Sequence, residues 1–328
     1  MGGSNKNKHA LKTYFTTIFL RNMARLNYAA IDIGSNAVRL LIKSISSDAK
    51  DKTKFKKIML LRVPLRLGFD IFKDGELSER KARKLQRLMK AYRHLMKIYD
   101  VCAYRACATS AMRDARNGAE IIRHINRDTG INIEIIGGAE EARIIYSNHL
   151  ECMEDRKGAY LYVDVGGGST EINFLMDGEL QSSVSYNIGT VRLLTGKVRD
   201  DEWARMQDDL HTMLTLTDKP INIIGSGGNI NKIYRMAAVK NTAEQRMPIS
   251  SVQAVYNQLN TLTVEERMAQ YALKEDRADV IVPAAEIFLR IAHIVNASYI
   301  HVPVIGLADG IIDELYEQHL LNVNKGKD

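Results

Sequence analysis

The sequence predicts an α/β protein of two lobes, each with a mixed sheet flanked by helices, and a cleft between them. Two segments built to one plan are the first reason. Residues 28–42 and 160–174 each run apolar strand, Asp (Asp32, Asp164), glycine turn, hydroxyl residue, apolar strand, and the two acids lie 132 positions apart. The second reason is the alternation of short apolar strands with amphipathic helices through both halves, the pattern of sheets covered by helices. Size is the third: 328 residues, 45% hydrophobic and 26% charged, suffice for two cores of ordinary globular composition.

Taken in order, residues 1–26 carry Lys6, Lys8, Lys12, Arg21 and Arg25 without an acid and are expected to be a disordered extension. The apolar run at 14–20 has seven residues, too few to span a membrane, and lacks a signal-peptide exit. Translation from Met23 is the expected native start. Lobe I, 27–153, then opens with strands at 28–33, 37–46 and 55–67. A helix follows at 78–99, where Ala82, Leu85, Leu88, Met89, Tyr92, Leu95, Met96 and Tyr99 form one apolar stripe. A strand at 101–109, a helix at 117–129, a strand at 132–136 and a helix at 139–149 complete the lobe. The charged stretch 151–158 reads as the boundary. Lobe II, 154–328, has strands at 159–165, 170–177, 180–187 and 221–225. Its helices are expected at 189–194, 200–216, 227–239, 249–259, 263–269, 276–295 and 306–321, the last able to pack back near lobe I. Helices 249–259 and 276–295 offer apolar faces for a homodimer.

A strand that ends in a carboxylate fixes one negative charge at a turn, and adjacent glycines let backbone N–H groups approach an anion closely. That combination is the chemistry of a metal-assisted phosphate site. Asp also favours turns for local reasons, so a single copy says little, whereas two copies point to Gly34, Ser35 and Asn36 facing Gly166, Gly167, Gly168, Ser169 and Thr170. Three consecutive glycines would weaken a strand without a reason to be there. Glu171 is either a holder of a metal or its water, or an outward-facing strand residue. A third turn, with Gly225, Gly227 and Gly228, precedes a helix and sets backbone donors at its N-terminus. Glu140 and Glu141 open a helix, where acids favour the dipole. Neighbours on a helix point about 100° apart, so at most one of them faces the cleft as a general base. Ser110 and Arg113 end a strand as a hydroxyl and a bidentate phosphate ligand, unless Arg113 pairs on the surface with Asp114 or Glu120.

The net charge of +7 is unevenly spread: residues 43–97 hold 17 basic and 6 acidic side chains, and residues 98–328 hold 23 basic and 32 acidic. A basic lobe beside a cleft would steer a polyanion inward. Much of this charge falls on the far side of helix 78–99, where a solvated face is the plainer reading. Cys102, Cys107 and Cys152 are too few and too irregular for a disulfide framework or zinc site, which suits a reducing, cytoplasmic compartment. No specific nucleic-acid or membrane element is evident.

Seven stretches together carry a resemblance. They are Asp32-Ile33-Gly34-Ser35-Asn36, Ala108-Thr109-Ser110-Ala111-Met112-Arg113, Gly137-Gly138-Ala139-Glu140-Glu141-Ala142-Arg143 and Asp164-Val165-Gly166-Gly167-Gly168-Ser169-Thr170-Glu171. Gly225-Ser226-Gly227-Gly228-Asn229, Arg277-Ala278-Asp279-Val280-Ile281 and Gly306-Leu307-Ala308-Asp309-Gly310 complete the set. In this order, over about residues 27–320, the chain resembles the exopolyphosphatase/guanosine pentaphosphate phosphatase family in its short two-domain form. That family belongs to the actin-like ATPase, sugar kinase and Hsp70 superfamily of ribonuclease H-like domains.

The resemblance implies a phosphohydrolase that removes terminal phosphate from polyphosphate or from guanosine pentaphosphate. It makes Glu141 the base, Glu171 a positioner of water or metal, and Asp32 and Asp164 neighbours of Mg²⁺ (or Mn²⁺). Arg113 and the glycine turns would hold phosphate. The chain departs from the commoner pattern at Gly137, Asn229 and Ala308-Asp309, which bears on substrate preference. A small-molecule kinase or ATPase of the same superfamily, and a non-catalytic polyphosphate or alarmone sensor, are the alternatives.

Overall fold

The computed structural model describes residues 25–46, 55–147, 157–303 and 305–325. The expectations for residues 1–24, most of the boundary stretch and Cys152 lie outside them. Lobe I holds a five-stranded sheet of order β3-β2-β1-β4-β5, formed by β1 (Arg25–Ile33), β2 (Val38–Ser46), β3 (Phe55–Val63), β4 (Val101–Ala108) and β5 (Ile133–Ile135). Lobe II repeats the order as β8-β7-β6-β9-β11, from β6 (Ala159–Val165), β7 (Thr170–Met176), β8 (Glu179–Tyr186), β9 (Ile221–Ser226) and β11 (Tyr299–His301). The short strand β10 (Arg246–Pro248) adds an antiparallel edge. In both lobes the first three strands are antiparallel and the fourth runs parallel to the first. The mixed sheets are those expected.

The central strands β1 and β6 read as continuous apolar runs because they are covered on both faces: Tyr28 to Ile31 and Leu161 to Val163 are fully buried. In lobe I the helices are α1 (Leu67–Asp74), α2 (Glu79–Ile98), α3 (Ser110–Asp114), α4 (Gly118–Thr129) and α5 (Gly138–Ser147). Helix α2 starts where the Ser78 hydroxyl accepts from the Lys81 N–H, and it buries Leu85, Met89, Tyr92 and Met96. Most of its basic residues face solvent, so the solvated-face reading holds there.

Lobe II carries α6 (Thr190–Leu194), α7 (Asp200–Leu214), α8 (Gly228–Met236), α9 (Ile249–Asn260), α10 (Val264–Tyr271), α11 (Glu275–Ala278), α12 (Ile281–Ile294) and α13 (Leu307–Lys325). Nine residues of α12 are buried in the lobe's own core, as are Val252, Val255 and Leu259 of α9. The apolar faces expected for a dimer are therefore consumed inside the chain. Helix α13 packs on α5 and β1, and Leu307, Ile311 and Ile312 share a core with Tyr28, Ala30, Tyr160 and Tyr162, which ties the two sheets together.

Several elements differ from expectation, helices α1 and α3 among them, which no expected helix covers. The strand predicted over 55–67 stops at Val63, because Pro64 removes a ladder donor and Arg66 turns left-handed (φ 52°) to start α1. The helix predicted over 276–295 is two pieces, α11 and α12. Strands β10 and β11, three residues each, are too short for periodicity to show. Among the described residues no helix is long and apolar enough to cross a membrane.

Candidate active site

The two repeated turns meet. Each is closed by the same hydrogen bond, Gly34 N–H to Ala37 O (3.1 Å) and Gly166 N–H to Ser169 O (2.9 Å). They are also complementary: Ser35 and Asn36 of one face Gly167 and Gly168 of the other. A Cβ on Gly168 would lie 2.0 Å from Ser110 Oγ and 2.7 Å from Ser35 Oγ, and one on Gly167 would lie 3.0 Å from Ser35 Cβ. The glycines are required because the opposite lobe sits against them. Further ties cross the lobes: Asn36 Nδ2 donates to Asp276 O (2.9 Å), and Arg62 pairs with Asp276, Arg66 with Asp279, and Arg192 with Asp114.

Around these turns lies a cleft of about 360 Å³ lined from both lobes. Asp32, Glu141, Asp164 and Glu171 all face it. Asp32 sits opposite Arg39 on β2 and accepts from its Nη1 at 2.5 Å. Asp164 sits opposite Glu171 on β7, and Ser185 Oγ donates to Glu171 Oε1 at 2.8 Å. Helix α5 separates its two leading acids. Glu140 pairs with Arg105 at 2.6 Å, while Glu141 is buried toward the cleft with Arg113 Nη1 3.4 Å from its Oε2.

The acids are electrostatically strained. Burial and the nearby charge of Glu171 push the Glu141 carboxyl well above the usual carboxylate range, against the pull of Arg113. Burial raises Glu171 to about 7, with Asp164 adding to the effect while Ser169 and Ser185 oppose it. Asp164 rises to about 6 through burial and the charge of Asp32, with Arg39 opposing. Each of these carboxyls is costly to keep ionised in its place, and a cation would relieve that cost.

Of the residues singled out in the sequence, Gly34, Ser35, Asn36, Ser110, Gly166, Gly167, Gly168, Ser169, Gly227 and Gly228 line this cleft together with the four acids. Three do not. Arg113 is turned to Ile136 O (2.7 Å) and Glu141, and pairs with neither Asp114 nor Glu120. Thr170 is fully buried and its hydroxyl donates to Ile188 O (2.6 Å). Gly225 lies within β9, packed between Ile230, Phe288 and Ile300. Arg39, Lys57, Arg62, Lys232 and Arg235, none of them singled out in the sequence, also line the cleft, as does Arg277, which opens one of the seven stretches without an assigned role. A signal for Arg39 existed: equal turn lengths put the residue seven positions after each Asp directly across the hairpin.

Asp32 and Asp164 are hard oxygen donors, one from each lobe, and their mutual repulsion is what a divalent ion would cancel. Among the described residues no three His, Cys, Asp or Glu side chains gather into a ready metal cage. A carboxylate from each lobe fits Mg²⁺, which commonly takes one or two carboxylates, several waters and substrate phosphates.

A two-lobed α/β protein with paired glycine turns and acids in its cleft is of the phosphate-handling class. The model of the Ppx/GppA phosphatase family matches residues 45–319, and the chain belongs to that family. It is 33% identical over 168 residues to a bifunctional 3-dehydroquinate synthase/phosphatase of Fusobacterium nucleatum, covering 50% of this chain and 25% of that one. It is 26% identical over 282 residues to exopolyphosphatase 2 of Mycobacterium tuberculosis, covering 79% and 88%. The chain thus spans between a quarter and a half of the length of the first curated relatives it matches. The crystal structure of the Aquifex aeolicus Ppx/GppA family member superposes with a TM-score of 0.70 at 26% identity, covering 90% of this chain and 99% of that one. An exopolyphosphatase from Cytophaga hutchinsonii, at 23% identity, shares the fold with a TM-score of 0.75 and coverage of 89% and 98%.

Proposed function

We propose that this chain is a phosphohydrolase that releases terminal phosphate from a phosphoanhydride chain, inorganic polyphosphate or guanosine pentaphosphate. One observation carries this: acids from both lobes converge on one cleft that the glycine turns of both lobes also line. Glu141 is assigned the general base, since it is buried, lines the cleft, and burial beside Glu171 raises its pKa from the ordinary carboxylate value, which strengthens it as a base. Arg113 is assigned the orienting of Glu141 rather than the holding of phosphate, because its guanidinium is committed to Ile136 O and Glu141. Mg²⁺, when bound between Asp32 and Asp164, would neutralise charge on the transferring group. Six basic side chains of the cleft favour an extended polyanion. Arg277 is held down to about 10 by burial and by Arg62 and Arg39, so three guanidinium groups crowd where anionic charge would relieve them.

Two measurements test this. Phosphate release is followed with polyphosphates of several lengths beside guanosine pentaphosphate, and ADP formation is followed from ATP with candidate acceptors. Metal-dependent release from either phosphate chain is the expected result. ADP formation without such release would select the kinase alternative, and tight binding without turnover would select the sensor.

A further inference from the structure

We propose that Arg192 is a positioning residue that aims the lobe II phosphate turn from a foothold in the opposite lobe. This role presupposes the phosphohydrolase reading of the cleft and adds to it the part that keeps the anion-binding face presented.

A backbone anion site works only when its carbonyl oxygens are turned away from the anion. In this turn every glycine carbonyl is taken by α6. Gly166 O accepts from Thr190 N–H (3.0 Å) and Gly167 O from Val191 and Arg192 N–H (2.8 and 3.1 Å). Gly168 O has the Arg192 side chain, whose Nε donates at 2.8 Å. The C=O and N–H of a trans peptide point in opposite directions. Holding these three oxygens on α6 therefore holds the N–H groups of Gly167, Gly168 and Ser169 on the other side. Two of the three constraints are backbone bonds that any sequence could make. The third is a side chain, so it can be altered.

The same guanidinium is anchored in lobe I. Its Nη2 donates to Asp114 Oδ2 at 2.6 Å, and its Cζ lies 4.2 Å over the Phe72 ring. Arg192 is 9% exposed, and the next residue back, Val191, is buried in the lobe I core rather than in its own. Gly189 permits this seat, since a Cβ there would fall 2.4 Å from the Gly168 carbonyl carbon. Neither Arg192 nor Asp114 lines the cleft. Asp114 reaches the glycine turn through Arg192, whose Nε holds Gly168 O.

The test uses the full chain with Mg²⁺ and tripolyphosphate as the probe, read by calorimetric binding and by steady-state phosphate release, with thermal unfolding in parallel. Arg192→Gln is expected to raise the tripolyphosphate Kd and the KM about tenfold, the scale of one lost hydrogen bond. Asp114→Asn, which leaves Arg192 in place but removes the charge of its ion pair, is expected to weaken binding by a smaller factor in a protein that still folds. The double variant is expected to bind no more weakly than Arg192→Gln alone. If Arg192→Gln does not fold, Asp114→Asn and Arg192→Lys decide the matter. Wild-type affinity in Asp114→Asn, or in an Arg192→Gln protein that folds, overturns the positioning role and leaves the hydrolase reading standing. Weakened binding in Asp114→Asn with no turnover by the wild-type chain on any phosphate chain supports the positioning role and defeats the hydrolase reading.

Discussion

In lobe I the Asp32 carboxylate looks across its hairpin at Arg39, whereas in lobe II the matching position opposite Asp164 holds Glu171. The backbone plan is the same, down to the hydrogen bond that closes each turn. The difference is charge. In lobe I the acid is compensated by a guanidinium 2.5 Å away, and the turn carries side chains, Ser35 and Asn36, that reach across. In lobe II two acids face one another, a third from α5 joins them, and the turn carries no side chains where the other lobe presses in. A duplicated scaffold can thus divide labour, with one copy holding structure and the other storing electrostatic strain for use.

Several variants break or sharpen that contrast. The largest expected effect is Glu141→Gln, which keeps the shape and removes the base. Turnover should fall by about 10²–10⁴, while the unfolding midpoint at neutral pH stays level or rises because a buried charge is gone. Next is Gly168→Ala. Its Cβ meets Ser110, Phe72 and Ser35 at 2.7 Å or less, so a loss of about 1–3 kcal/mol from overpacking and a slower reaction are expected. Gly137→Ala, with nothing within 4 Å, should change neither and serves as the control.

A smaller effect is in pH. A carboxyl whose folded pKa is raised favours the fold while protonated, and that contribution is lost as pH climbs through the folded value. For Asp164 the window runs from the ordinary 3.8 to about 6, and for Glu171 from 4.5 to about 7. Without a divalent ion the unfolding midpoint should therefore decline between about pH 4 and 7, and added Mg²⁺ should raise it more at pH 8 than at pH 5. An equal Mg²⁺ increment at both values would remove the acids from the metal site.

Much of this was legible in the residues. The strands and their acids followed from apolar runs ending in Asp-x-Gly, and α2 from its apolar stripe, since those signals are local. The angular argument for Glu140 and Glu141 matched the outcome because helix geometry is rigid: one acid faces the cleft and the other faces Arg105. Tertiary facts were not legible. Arg113 turned inward to Ile136 O and Glu141, a tertiary contact that no spacing along the chain encodes. Charge counts pointed to α2, yet the cleft draws on Lys57 and Arg62 of β3, where alternation tells which face a residue takes but not what lies opposite. The glycine run was read as an anion cradle; its second reason, room for Ser35 and Phe72, belongs to the other lobe.

The most direct test is a side-by-side thermal unfolding of Asp32→Asn and Asp164→Asn at pH 8 without divalent ion. Removing the compensated acid should destabilise the fold by about 1–2 kcal/mol, because it strips Arg39 of its partner. Removing the uncompensated one should leave the midpoint unchanged or raise it. Equal losses from both substitutions would contradict the division of labour between the two turns.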